Sequence, residues 1–430
     1  MAATIEYVDR LSTLPEEIRS NILSLMPTKS AMRTSVLSKS WRYSWMWVHN
    51  LDFDEIHPVP DLNCFLEFVN RVLEHCKATQ VKIFRLNFTM GYVPESVVSK
   101  WITEAVRLKV CELHLKVRHI KLPLSFFLNK TLTDISLDFT ELHFPLLDGE
   151  SNITLPCVKT LDIVISSQPH ENVSKLIHGC PELRNLSVGI KNCNRPQHYH
   201  YKIPTLKRLK LSICQSVSYI SPVYLQLPNL EHFFVDGLLC LEFVEEDLDL
   251  SSLINAKATC HVKDDGLWVE LLERISQAKS ISLNITFWNP KSELDVCVEP
   301  LPNFPNLKHL EVEGYVGAKY QLIPQILENC SELEHLSIVK PKGGHWNQPE
   351  VVPTCMVGNL KTLKYAETRA QDFNRELLNY MLENSNVLKT LTIACDNMFS
   401  PSEEQRLLSE LTINPRDPKD CRICFVRNST

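Results

Sequence analysis

The sequence predicts an α/β chain: a short helical segment, then a long array of stacked short strands with mixed helices and loops outside them. Three observations predict it. At 430 residues the chain exceeds the ~250–300 residues that one core usually serves. One apolar phrase recurs at near-even spacing through most of it. The stretch before that array carries an aromatic surface too large for so short a segment to bury alone.

The repeat is legible in LPCVKTLDI (155–163), IPTLKRLKL (203–211), LPNLEHFFV (227–235) and FPNLKHLEV (304–312). A second group, LIHGCPELRNLSV (176–188), ILENCSELEHLSI (326–338) and MLENSNVLKTLTI (381–393), ends in the same phrase. Its middle apolar residue marks Phe84, Leu113, Ile135, Leu161, Leu186, Leu209, Phe233, Ala256, Ile281, Leu310, Leu336, Leu363 and Leu391, spaced 22 to 29 residues apart, with Ala256 the weakest anchor. That spacing and the L-x-x-L-x-L phrase are those of leucine-rich repeats. Alternation such as Leu209-x-Leu211-x-Ile213 puts every second side chain on one face of a strand. A strand this short cannot bury that face alone, so neighbouring repeats must stack. The second group adds an apolar helical turn before its strand, and the first a proline-bearing crossing. The expected result is an irregular horseshoe.

The fifteen cysteines fit the same frame. Cys180 and Cys330 each precede an anchor by six residues, and the equivalent place before Leu391 is Ser385. A slot that accepts Cys or Ser is a small-residue packing position. Cys76 sits in a similar place. Cys421-x-x-Cys424 has no second ligand pair nearby, so neither zinc nor redox chemistry is expected of it.

Residues 12–27, STLPEEIRSNILSLMP, read as a helix with a capping box from Thr13 to Glu16 and Pro15 in its first turn. Leu14, Ile18, Ile22 and Leu25 follow at helical spacing, and Pro27 ends the element. Thr28 is placed to cap a second short helix through Val36 and Leu37, and Ser38 or Ser40 to start a third carrying Trp41, Trp45 and Trp47. The apolar residues here total on the order of 800 Å² or more. That face must meet either the repeats or a partner. Lys39 and Arg42 lie among the tryptophans, but the net charge of −6 argues against a nucleic-acid surface.

Residues 11–55 resemble an F-box of the plant type in L-P-x-E, I-L-x-x-(L/M)-P-T-K and V-L-S-K-x-W-R-x-x-W. The resemblance implies docking on a Skp1-type adaptor and, through it, a cullin–RING ubiquitin ligase. Position by position, Leu14, Pro15, Ile18, Ile22, Leu25, Pro27, Val36, Leu37, Trp41 and Trp45 would form or support the adaptor-facing surface. Trp47 and Leu51-Asp52-Phe53 are expected on the first repeat, with Lys39 and Arg42 framing the contact. Arg19 stands where an apolar residue is usual and Ser40 where Arg is usual; either departure could weaken binding without changing its mode.

Toward the C-terminus, 340–353 reads as a loop or domain boundary, with a capping box at Ser400-x-x-Glu403 and a strand CRICFV (421–426) beyond it. The arrangement from 352 onward resembles the FBD domain that follows leucine-rich repeats in plant F-box proteins, which would cap the strand array. The expected division is 7–53 F-box, 60–345 repeats and 352–430 FBD.

No nucleotide-binding, zinc-protease or nucleophile-elbow motif is present, so no catalytic residue, cofactor or metal site is expected. The acidic run Glu242 to Asp249 reads as a solvated loop, and His198 and His200 as a surface loop. No membrane span or signal peptide is legible, which points to the cytoplasm, the nucleus or both. The expected function is target recognition for a ubiquitin ligase. A Skp1-binding scaffold or a ligand receptor acting without target degradation is the alternative. The target is unknown; Lys210, Ser212, His309 and Glu311 lie beside strand anchors without ranking themselves.

Overall fold

The structure is a computed structural model. It describes residues 9–54, 62–88, 93–143, 154–165, 171–191, 198–214, 220–244, 250–262, 265–287, 300–313, 322–339, 348–367, 373–395, 400–412 and 421–427. The loop at 340–347, the acidic residues 245–249 and the expected boundaries at 7, 60, 345 and 430 lie outside them. The chain divides into two compact units, Met1–Cys193 and Asn194–Thr430.

The first unit opens with α1 (Glu16–Leu23) and α2 (Thr28–Arg33), followed by single 3-10 turns at Thr34–Val36 and Ser44–Trp47. The expected third helix does not start at Ser38 or Ser40. Their hydroxyls bond to each other at 2.8 Å, and Ser38 also bonds to Ser12 at 2.8 Å. Such local serine bonds compete with helix formation. The capping box at Thr13 is not formed either: Thr13 Oγ1 donates to the Arg10 carbonyl, and Pro15 stands at the N-cap. Thr28 does not cap α2; its Oγ1 accepts from the Asp52 amide at 2.7 Å.

The unit continues with β1 (Asn50–Asp54), α3 (Leu62–His75), β2 (Ile83–Phe88), α4 (Glu95–Arg107), β3 (Glu112–Val117), β4 (His119–Lys121) and α5 (Leu124–Phe127). It closes with β5 (Asp134–Phe139), β6 (Glu141–His143), β7 (Thr160–Ile165), α6 (Glu171–His178) and β8 (Asn185–Ile190). A parallel ladder runs β1-β2-β3-β5-β7-β8, and β4 pairs with β6 in a separate parallel sheet. Across the ladder Leu51, Phe84, Leu113, Ile135, Leu161 and Leu186 are successive partners. All six are buried. Helix periodicity explains the flank: α3 buries Phe65, Val69, Val72 and Leu73, and α4 buries Val98, Trp101, Ile102 and Ala105.

The second unit comprises β9 (Tyr199–Lys202), β10 (Arg208–Ile213), β11 (Ser221–Gln226), β12 (His232–Leu239), β13 (Leu241–Phe243), β14 (Asn255–Val262), α7 (Asp265–Ile275) and β15 (Ser280–Phe287). Then come β16 (His309–Glu313), α8 (Leu322–Glu328), β17 (His335–Val339), α9 (Thr354–Gly358), β18 (Thr362–Glu367), α10 (Arg375–Asn384), β19 (Thr390–Cys395), α11 (Pro401–Thr412) and β20 (Arg422–Arg427). Its ladder runs from β10 through β12 and β14 to β20, all parallel. Leu209, Phe233, Ala256, Ile281, Leu310, Leu336, Leu363, Leu391 and Ile423 share one register line. Ala256, the weakest anchor by size, is buried in its expected place.

A second parallel sheet, β13-β11-β9, takes in two segments expected to be loops. His200 belongs to β9 and Glu242 to β13. Buried Tyr199 and Tyr201 in β9, and Leu241 and Phe243 in β13, supply the alternation that makes them strands. The capping box at Ser400 is formed in both directions: the Ser400 amide donates to Glu403 Oε2 at 2.8 Å, and the Glu403 amide donates to Ser400 Oγ at 3.2 Å.

The small-residue slot is as the spacing predicts, with Cys180, Cys330 and Ser385 all buried. Burial pushes the Cys180 thiol up to about 12, which keeps it protonated and unreactive. Cys76 is only half-buried. Among the described residues no disulfide joins any cysteines.

Candidate docking surface on the first two helices

The segment from α1 through Trp47 has two faces of different character. Its inner face is fixed to the ladder by polar bonds from both helices. Ser24 Oγ accepts from the His49 amide at 2.8 Å, the Ser24 carbonyl accepts from Asn50 Nδ2 at 2.9 Å, and Thr28 holds Asp52. The Lys77 amide donates to the Met46 carbonyl at 2.7 Å, so the tryptophan turn is tied to the chain beyond α3. Leu23, Ala31 and Val48 are buried between these bonds.

The outer face is apolar and uncovered. Ile18 and Ile22, one helical turn apart, are exposed on α1, and Leu25 follows at 85% exposure. Val36 is also 85% exposed, and its neighbour Leu37 67%. Pro15 and Pro27 are exposed at the starts of α1 and α2, and Leu14 is half-buried. Burying Leu25 or Val36 against a partner is worth about 2 kcal/mol each.

Trp41 and Trp45 are buried, at 5% and 8% exposure, so they add almost no surface to this face. Trp45 packs with its ring centroid 6.4 Å from that of His75 in α3. Trp47, expected to lie against the first repeat, is 39% exposed. Residues two apart in a 3-10 turn project to different sides, so Trp45 is buried where Trp47 is partly open to solvent. Lys39 and Arg42 are exposed, with the Arg42 guanidinium 5.5 Å from the Tyr43 ring centroid.

Each ladder also has an open face formed by the residues between anchors. In the first unit it holds a pocket of about 370 Å³ lined by Asp52, Arg85, Asn87, His114, Lys116 and Asp138 among others. Desolvation, reinforced by nearby Arg85, holds the His114 imidazole below its usual value. In the second unit Lys210 and His309 are exposed and Ser212 and Glu311 half-exposed. His309 stacks on His335 with centroids 4.5 Å apart, and Glu311 accepts from Ser282 Oγ at 3.0 Å. Among the described residues no helix is long and apolar enough to cross a membrane.

Comparison with known proteins finds matches in three parts of the chain. An F-box domain model matches residues 11–53, and an FBD model matches residues 348–393. Between them, residues 98–247 match a model described as "FBD-associated F-box protein At5g56370, LRR repeats". The chain is 26% identical to the FBD-associated F-box protein At4g10400 of Arabidopsis thaliana, over 97% of this chain and 100% of that protein. It is 27% identical to the F-box/FBD/LRR-repeat protein At5g22660 of the same plant, over 97% of each chain. A third Arabidopsis thaliana relative, the F-box/LRR-repeat protein At4g14096, is 28% identical over 94% of this chain and 92% of its own length. The F-box match falls on the apolar helices, the repeat match on the ladders and the FBD match on β18 and β19, so the chain carries the F-box, leucine-rich-repeat and FBD matches that its plant relatives' names describe.

Proposed function

We propose that the chain is the substrate-recognition subunit of an SCF-type ubiquitin ligase. In this reading residues 7–53 dock on a Skp1-type adaptor that links them to a cullin, residues 60–345 form the repeat solenoid that holds a protein target, and residues 352–430 cap it. The chain itself is non-catalytic and works in the cytoplasm, the nucleus or both. Its contribution to rate is proximity, holding target lysines near a conjugating enzyme carried by other subunits.

The observation that carries this reading is the uncovered apolar face of Ile18, Ile22, Leu25, Val36 and Leu37 on a segment whose opposite face is bonded to the first ladder. Leu14, Pro15 and Pro27 extend that face, and the buried Trp41 and Trp45 support it. A rigid joint suits the task, because a target held on the ladder then keeps a fixed distance from the adaptor. The test is a pull-down of the purified chain with a Skp1-type adaptor, comparing wild type with Leu25→Asp/Val36→Asp. Capture by wild type and its loss in the folded variant supports the reading. Absence of capture by wild type would sink it.

A second reading, a ligand receptor, draws on the polar pocket of the first ladder. It predicts target capture only in the presence of a small polar molecule, and loss of that dependence in Arg85→Ala.

A further inference from the structure

The β4–β6 sheet brings together side chains that the docking and repeat roles leave unused. Strand alternation puts Glu141 and His143 on one side of β6, and His119 of β4 is the register partner of Glu141. Between them Ile120 and Leu142 are buried, which holds the two strands in place. From a third element comes Glu95, the first residue of α4. Its carboxylate accepts from His143 Nδ1 at 2.9 Å, and Glu141 Oε2 accepts from His119 Nδ1 at 3.0 Å.

We propose that Glu95, Glu141 and His143 form a binding site for one divalent transition-metal ion of the zinc class. Their ligand atoms all lie within 4.8 Å of one another, among the described residues the one such group of three. Zinc takes carboxylate oxygen and imidazole nitrogen at about 2.0–2.2 Å in tetrahedral geometry, which sets ligand atoms about 3.4 Å apart. Closing the group on an ion therefore requires side-chain movement of about an ångström, within the freedom of three half-buried residues. Two carboxylates balance the ion's charge, and the imidazole favours zinc over calcium or magnesium. His119 then acts as the outer partner that orients Glu141, since ligating carboxylates are themselves commonly hydrogen-bonded. The fourth position is left to water. Ion binding displaces the Nδ1 proton that His143 now shares with Glu95, and it clips α4 to the second sheet of the same unit. Glu141 and His143 lie two apart on β6, but Glu95 comes from about 46 residues earlier, so the sequence alone offers no sign that the three meet.

The test is calorimetric titration of the reduced full-length protein with zinc chloride, alongside cobalt(II) absorption spectra, for wild type, Glu95→Gln, Glu141→Gln and His143→Gln. One equivalent bound without thiolate-to-metal charge transfer, and weakened at least about tenfold in each folded variant, is the expected result. No binding by wild type would overturn the proposal. So would a thiolate signature, which would place the ion on cysteines, or an affinity unchanged in the variants. The wild-type cobalt spectrum decides between oxygen–nitrogen and thiolate ligation even where a variant fails to fold.

Discussion

Arg19 reaches from α1 to the tryptophan turn, where its Nε donates to Ser44 Oγ at 3.2 Å. Its Nη1 donates to the Leu14 and Ser12 carbonyls at 3.0 and 3.3 Å. Ser44 Oγ in turn donates to the Ser40 carbonyl at 3.1 Å, and the Ser40 hydroxyl joins Ser38 and Ser12. The two positions that depart from the usual F-box pattern therefore belong to one internal polar network. An arginine in an apolar slot is tolerated because backbone carbonyls and a serine satisfy it.

Arg19→Ala should lower stability by about 1–3 kcal/mol, because Ser44 and two carbonyls lose a charged donor. Chemical denaturation followed by tryptophan fluorescence measures this. Adaptor affinity of the folded fraction should stay within about twofold, and a larger loss would mean that Arg19 contacts the partner itself.

Trp45 and Leu25 should respond in opposite ways. Trp45→Ala empties a buried site beside His75 and should cost about 3–5 kcal/mol. Leu25→Ala removes an exposed side chain and should change stability by no more than about 0.5 kcal/mol. Thermal unfolding of both variants, read beside adaptor capture, separates the supporting residue from the docking one.

Gly237 has φ +96° in β12, and a Cβ there would fall 1.8 Å from the Ile213 carbonyl oxygen of β10. Gly237→Ala should destabilise by at least about 2 kcal/mol through backbone strain and strand displacement. Gly358, with nothing within 4 Å of an added Cβ, is the control: Gly358→Ala should be neutral or mildly stabilising in the same urea titration.

Lys109 follows α4 with φ 52°, the left-handed conformation that glycine adopts without cost. Lys109→Gly should stabilise by about 0.5–1 kcal/mol, read as a shift in urea midpoint.

Acid should weaken the first unit through His114, whose lowered pKa arises from desolvation first and Arg85 second, opposed by Glu112 and Asp134. A histidine with a depressed folded value keeps its stabilising contribution above 6.5. That contribution is lost as pH falls from 6.5 through the folded value, because the unfolded chain binds the proton first. His114→Gln should therefore flatten the decline in urea midpoint over that window. An unchanged slope would show that His114 does not titrate there.

The ladder was legible because its anchors repeat at a period that only stacked strands can bury. Leu51 and Ile423 escaped that reading, although both lie on register lines with the predicted anchors. Leu51 lies 33 residues before Phe84, beyond the usual repeat length of about 20–29. The β9, β11 and β13 strands were missed for a different reason. They are short, and polar or aromatic residues interrupt their apolar alternation, so YHYK reads as loop until Tyr199 and Tyr201 find a common buried side.

Local chemistry determined the side-chain alternation of the ladder strands and the first two helices, α1 and α2. Side-chain alternation and helical spacing act between near neighbours, and no distant contact is needed to express them. Tertiary structure alone decided which tryptophan faces outward, where Thr28 spends its hydroxyl, and that Glu95 meets His143. Each of those depends on where an element docks after it has formed, and the energy that sets docking comes from residues far away in the chain.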